Sequence, residues 1–353
     1  RDSNWFADFP TTAEKLLSFF EMSSETADGV IALTPNIFVE ILKLIGPVPM
    51  PEYDVVLTPE NFQDVVQNQT SVSYDKELNQ PKKFLDDFAP VMLNKMTDLG
   101  KEQWFTLFQI MKDSFSQKHI LVYSTDHDTQ SKIMNMGFDG RILEAEHDYL
   151  SVVNSNLGGT KTDLDVKQSI DYVSNIQTDG NIINEVTVTR KNTSDMPNRN
   201  FMRILVPSGS RFLEASGFTA QPQYSSQVPD YDLDPDLVEW DKGFQVGDVQ
   251  VRSEGNKTEF TGWNETLGNS ETVVKIKYAL PLKISFGLLN TKSSYSLVFQ
   301  KQSGSRATNF NGQINTDGLN IPWSTENTAR EKNSVKFQSL GTTDEYWGMV
   351  LSR

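Results

Sequence analysis

"INEVTVTRKN", residues 183–192, alternates apolar and polar side chains through its centre, Val186 to Thr189, the period of a strand with one buried face. "NFMRILVP" (200–207), "ETVVKIKYALP" (271–281) and "SYSLVFQKQ" (294–302) repeat the pattern. Turn signals such as Pro207-Ser208-Gly209 and Glu254-Gly255-Asn256 separate them, and strands so spaced predict an antiparallel β-sandwich of the immunoglobulin-like class. Upstream of residue 170 the period differs. "TAEKLLSFFEM" (12–22), "PNIFVEILKLIG" (35–46) and "KEQWFTLFQIMKDSF" (101–115) carry apolar residues at helical spacing, and Thr34-Pro35 and Gly46-Pro47 punctuate the second of them. Short apolar runs of strand length, "DGVIAL" (28–33), "HILVYS" (119–124) and "YLSVVN" (149–154), lie between these helices and after them. The expected class is therefore α+β: an α/β layered domain over 1–170, then the β-sandwich over 171–353. Trp104, Phe105 and Phe108 read as one buried stripe of a helix, and 219–241, polar and rich in proline, as a long surface loop.

A chain of 353 residues is about twice the usual domain size, in keeping with two cores. Lys and Arg number 32 against 47 Asp and Glu, a net charge of -15 that repels nucleic-acid phosphates, so nucleic acid is not an expected partner and any anion site must be local. With no cysteine there are no disulfides, thiolate metal sites or cysteine nucleophiles. No apolar run reaches the roughly 18 residues that span a bilayer. "RDSNWFADFP" (1–10) is dense in aromatic residues where termini are usually loose, and the expectation is that an upstream segment or a partner chain completes the first domain.

The stretch "DYLSVVNSNLGGTKTD" (148–163) has the makings of an anion site. Backbone N–H groups around Gly158 and Gly159 could form a nest, with Lys161 as a point charge and Asn154 and Asn156 as polar arms. The spacing is not that of a P-loop, and a glycine pair leaving a strand also reads as a sharp turn. "PDYDLDPD" (229–236) sets Asp230, Asp232 and Asp234 on alternate residues, as in the first positions of a calcium loop. Pro235 stands where such a loop needs glycine, which leaves a weak Ca²⁺ site or a solvated acidic loop. The three histidines lack the i, i+4 spacing of a helical zinc site, and no serine sits in a glycine-flanked elbow.

"RDSNWFADFPTTAEKLLSFFE", "DGVIALTPNIFVEILKLIGPVPMPEY", "HILVYSTDHDTQSKIMNMGFDGRI" and "DYLSVVNSNLGGTKTDLDVKQSI", in this order, resemble segments of a bacterial surface family known as domain of unknown function 4012. "NFMRILVPSGSRFLEASGF" and "TEFTGWNETLGNSETVVKIKYALP" resemble its β-rich tail. The α/β part is in turn distantly similar to the LytR-CpsA-Psr domain, lacking its first part. That likeness implies an extracellular location on a bacterium, a membrane anchor outside this chain, and a cell-wall glycan or polyprenyl-phosphate-linked glycopolymer as partner. A transferase of this kind would be a glycopolymer phosphotransferase, clamping a pyrophosphate with arginine and holding Mg²⁺ with carboxylates. Arg1 and Asp2 lie where the likeness would put such residues, and Asp8, in the turn fixed by Pro10, is the third candidate. Asn156 and Lys161 match the family's motif without an implied role. The alternative is a structural or adhesive surface protein with no turnover.

Overall fold

The computed structural model describes residues 4–71, 83–157, 160–221, 234–287 and 291–353. The chain is α+β and divides into two compact units. The division falls between Gly140 and Arg141, with Trp5–Asp8 grouped with the later residues. The expected boundary at residue 170 differs because "YLSVVN" pairs with strands of the β unit and not with those of the helical one.

The first unit runs α1 (Phe9–Glu21), β1 (Gly29–Leu33), α2 (Pro35–Ile45), β2 (Val48–Met50), β3 (Val55–Leu57), α3 (Phe62–Ser71), α4 (Lys83–Thr97), α5 (Lys101–Ser116), β4 (Ile120–Ser124) and α6 (His127–Met136). Proline opens α2 as the sequence predicts, and Gly46 at its end takes φ +76°, a conformation that suits glycine. Among the described residues its sheets are two antiparallel pairs, β1 with β4 and β2 with β3. Val30 and Ala32 face Phe9, Ala13 and Leu121. Ile120 and Val122, on the other face of β4, join a core of Leu42, Phe62, Phe88 and Leu107. On β1, Ile31 and Leu33 are exposed. The aromatic stripe expected to be buried on α5 is also outside: Trp104, Phe105 and Phe108 are 52%, 66% and 64% exposed, and Leu107 and Ser114 mark the buried face instead. Helical spacing shows that residues share a face. Which face meets the core is decided by neighbours.

The second unit continues with β5 (Asp148–Ser155), β6 (Val166–Ile176), β7 (Asn181–Asn192), β8 (Asn198–Pro207), β9 (Arg211–Ser216), α7 (Pro235–Trp240), β10 (Phe244–Val246), β11 (Val249–Glu254), β12 (Lys257–Thr266) and β13 (Glu271–Lys283). It ends with β14 (Lys292–Phe299), β15 (Asn309–Thr316), β16 (Asn320–Ser324), β17 (Thr328–Arg330), β18 (Ser334–Ser339) and β19 (Glu345–Ser352). These form an eight-stranded sheet, β10-β11-β12-β8-β5-β14-β19-β16, and a seven-stranded sheet, β17-β18-β15-β6-β7-β13-β9. The expected sandwich is present, but it is wider than the seven to nine strands of an immunoglobulin domain. It is also not purely antiparallel, since β5 runs parallel to β14 and β6 parallel to β15. Alternate residues of both sheets fill one core, among them Leu150, Val186, Ile204, Phe260, Ile276, Phe310 and Trp347.

One carboxylate lies in that core. Asp148 is fully buried and accepts hydrogen bonds from the hydroxyls of Tyr172 and Tyr295, from Asn184 Nδ2 at 2.7 Å and from the Tyr149 N–H at 2.7 Å. Burial pushes its carboxyl above the usual range despite these donors. The donors come from β5, β6, β7 and β14, so Asp148 ties the two sheets together where apolar packing alone would leave register less specified.

Candidate functional site

Of the residues expected to carry chemistry, Asp8 is held by the fold. Its Oδ1 accepts from the Ile142 N–H at 2.9 Å, and its own N–H points to Glu254 Oε1. Arg1 and Asp2 lie outside the described residues, as do Gly158, Gly159, Asp230 and Asp232. Asp234 caps α7, accepting from the N–H groups of Asp236 and Leu237, so its carboxylate serves the helix end. The end of the expected loop is thus a short helix. Among the described residues no group of three His, Cys, Asp or Glu side chains is arranged to hold a metal ion.

Asn154 is a hub of the polar end of the sandwich. Its Oδ1 accepts from Arg190 Nη1 at 3.1 Å and Asn200 Nδ2 at 2.9 Å, and its Nδ2 donates to Gln168 at 2.9 Å. Arg190 Nη2 donates to Asn198, whose Nδ2 reaches Asp163. Burial lowers the Arg190 pKa to about 10. Asn156 Oδ1 is buried without a partner, and Lys161 has φ +57°, a left-handed value unusual for a lysine. Asn154 therefore works inside the fold, joining the facing sheets.

A cluster that the sequence did not announce covers the outer face of the eight-stranded sheet. Arg203 on β8, Arg252 and Glu254 on β11, and Glu259 on β12 point away from the core because Met202, Ile204, Val251 and Phe260 fill it. Arg203 lies 3.2 Å from Glu254 and 3.6 Å from Glu259, and all three are 5% exposed or less. Trp240 Nε1 donates to Glu259 Oε2 at 3.0 Å. Arg252 stacks on the Trp240 ring at 4.0 Å and bonds Asp241, while Arg203 lies 5.2 Å from the centre of the Trp5 ring. Trp5 meets Trp240 edge-on at 5.2 Å, with Phe201 beside both. Burial pushes the Glu259 carboxyl up to about 7 against the pull of Arg203, and that of Glu254 also rises from burial. The one hint in sequence was an arginine flanked by apolar residues on both sides in "MRILV".

An open cleft of about 580 Å³ lies at the ends of the parallel pair β6 and β15. Asn175, Gln177, Asn315, Asp317, Lys332 and Asn333 line it. Asn315 Nδ2 donates to Asn175 Oδ1 at 2.9 Å, and the Asp317 N–H to the Ile176 carbonyl at 3.0 Å. The amides continue as a ladder along the outer face of the same strands, where Asn311 donates to Asp171 and Gln313 to Asn315. The cleft thus opens onto a polar stripe rich in donors and acceptors.

No curated protein sequence matches the chain. Among solved structures, a nutrient binding protein from Legionella pneumophila aligns at 7% identity and TM-score 0.29, over 58% of this chain and 71% of that one. An M1 zinc metallopeptidase from Deinococcus radiodurans aligns at 10% identity and TM-score 0.23, over 53% of this chain and 42% of its own, less than half its length. Likenesses this low carry no argument about function. The opening segment is different, because residues 1–70 match the family described as Protein of unknown function (DUF4012). The matched residues include those of "RDSNWFADFPTTAEKLLSFFE" and "DGVIALTPNIFVEILKLIGPVPMPEY", the two opening segments that resemble this family.

Proposed function

We propose that this chain is the extracellular part of a bacterial cell-envelope protein, held at the membrane by a segment outside this sequence, and that it binds a wall or lipid-linked glycan without turning it over. The observation that supports the reading is the amide-lined cleft. Its volume of about 580 Å³ suits a few sugar rings, and its amide and hydroxyl groups match sugar hydroxyls in chemistry. The ladder from Asn311 to Asn315 extends the same chemistry along the strands, which favours a polymer over a single small molecule. Binding is preferred to transfer because the cleft offers amide and hydroxyl groups that match sugar hydroxyls, and Asp8, the one described member of the trio Arg1, Asp2 and Asp8, is not among its lining residues.

Isothermal titration with purified wall polysaccharide and a soluble lipid-linked oligosaccharide tests this. Asn315→Leu and Asp317→Leu, singly and together, should weaken binding by about tenfold or more each, as expected when polar partners of a ligand are removed. Equal affinity in wild type and double variant would place the glycan elsewhere. Absence of binding to every envelope glycan tried would sink the reading.

A further inference from the structure

The buried carboxylates of the outer face have no part in the proposed glycan cleft, yet two of them share one arginine and one of them holds a piece of backbone. We propose that Glu254 and Glu259 make Trp5–Asp8 a pH-governed clasp, tight in acid and loosened as the medium approaches neutrality.

The clasp is defined by its contacts. Glu254 Oε1 accepts from the Ala7 N–H at 2.5 Å and from the Asp8 N–H at 3.3 Å, while its Oε2 takes Arg203. Trp5 closes over the same arginine and packs against Phe201 and Trp240. The segment is therefore held by one carboxylate and sealed by one indole. The charged groups facing the pair are Arg203 from β8, Arg252 from β11, Lys257 opposite Glu254 on β12 and lying over the Tyr149 ring, Asp8 from the segment itself and Asp241, bound to Arg252, from the end of α7. Arg252 Nη2 bonds Asp241 and Gln250, and Arg252 also attracts Glu259, so two guanidiniums, Arg203 and Arg252, face the three carboxylates of Glu254, Glu259 and Asp241. Two cations balance two of the three. Ionising the last places an extra negative charge in a site sealed from water, beside a carboxylate that already repels it.

Lifting Trp5 admits water to the site and relieves that cost. The open state thus returns the Glu259 carboxyl toward the ordinary carboxylate range, and the closed state has it pushed up to about 7. The sign follows from proton binding: between those values the closed state holds the extra proton, so acidification favours closure. Closure is complete in strength below about pH 4.5, weakens by at most about tenfold per pH unit up to about 7, and is flat above.

Hydrogen exchange of residues 4–8, corrected for the intrinsic pH dependence of amide exchange, measures the opening directly. Between about pH 5 and pH 7.5 the wild-type protection should fall by about tenfold or more. Glu259→Gln keeps the shape and removes the titration, so its protection should change by less than about threefold over the same range. Trp5→Ala should leave the segment unprotected at both pH values while the β-sandwich keeps its own protection. Wild-type protection that does not change with pH, or a Glu259→Gln variant with the wild-type fall, would overturn the clasp. If Glu259→Gln fails to fold, the wild-type profile decides alone.

Discussion

Arg203 Nη1 lies 3.2 Å from Glu254 Oε2 with both side chains almost wholly out of water, so each is the other's main substitute for solvation. Replacing Arg203 with methionine keeps the apolar stem and removes the charge. Two buried carboxylates then face each other without their cation, a defect of about 3–5 kcal/mol. Urea unfolding of Arg203→Met near pH 7.5 should show that loss. The same measurement near pH 5 should show a smaller one, because the Glu259 carboxyl, pushed up to about 7, takes up a proton there. A loss that is unchanged or larger in acid would mean that the carboxylates are not what the arginine balances.

Asp148 is the acceptor for four donors inside the sandwich. Asp148→Ala removes the acceptor of Tyr172, Tyr295 and Asn184; the two hydroxyls keep each other and Ser174 as partners, so the main loss is about 1–3 kcal/mol for the Asn184 amide left unpaired. Asp148→Asn should cost less, since it retains one acceptor and removes a charge that burial opposes. Thermal unfolding of the two variants beside wild type checks the order, and an alanine variant as stable as the asparagine one would deny Asp148 this role.

Gly312 on β15 is placed where a Cβ would stand 1.9 Å from the Phe337 ring, which stacks on Trp347 with ring centres 4.2 Å apart. Gly312→Val should overpack this core and lose about 1–3 kcal/mol. Gly318, with open space around it, is the control for volume, although its φ of +80° makes any side chain there somewhat strained. The unfolding midpoint of Gly312→Val should fall below that of Gly318→Ala, and the reverse order would contradict the packing.

On α5, Leu107→Ala should cost about 2–5 kcal/mol and Phe105→Ser or Phe108→Ser about 0.5 kcal/mol or less, because only the leucine is buried. Chemical denaturation of the three single variants distinguishes this from a buried aromatic stripe, which predicts the opposite ranking.

The sequence by itself determined the secondary structure of its clearest stretches and the broad class of the fold. Period-two alternation in "INEVTVTRKN" and "ETVVKIKYALP" became β7 and β13, paired in register, because a strand with one wet face must alternate. Thr34-Pro35 opened α2 and residues 1–70 carried the DUF4012 match, since caps and family motifs are local properties. What the local pattern lacked was the identity of the neighbour. "YLSVVN" reads as a strand in any setting, yet only its pairing with β8 and β14 assigns it to the sandwich. Trp104, Phe105 and Phe108 share a helix face, but the core lies on the other side. Arg203 is remote in sequence from Glu254 and Glu259, and these charges are costly to bury until the tertiary structure brings the two carboxylates within 3.2 and 3.6 Å of the arginine. The partner of Asp8 was hidden for the same reason: a carboxylate in a turn accepts whatever N–H the fold presents, and here it is that of Ile142, 134 residues away.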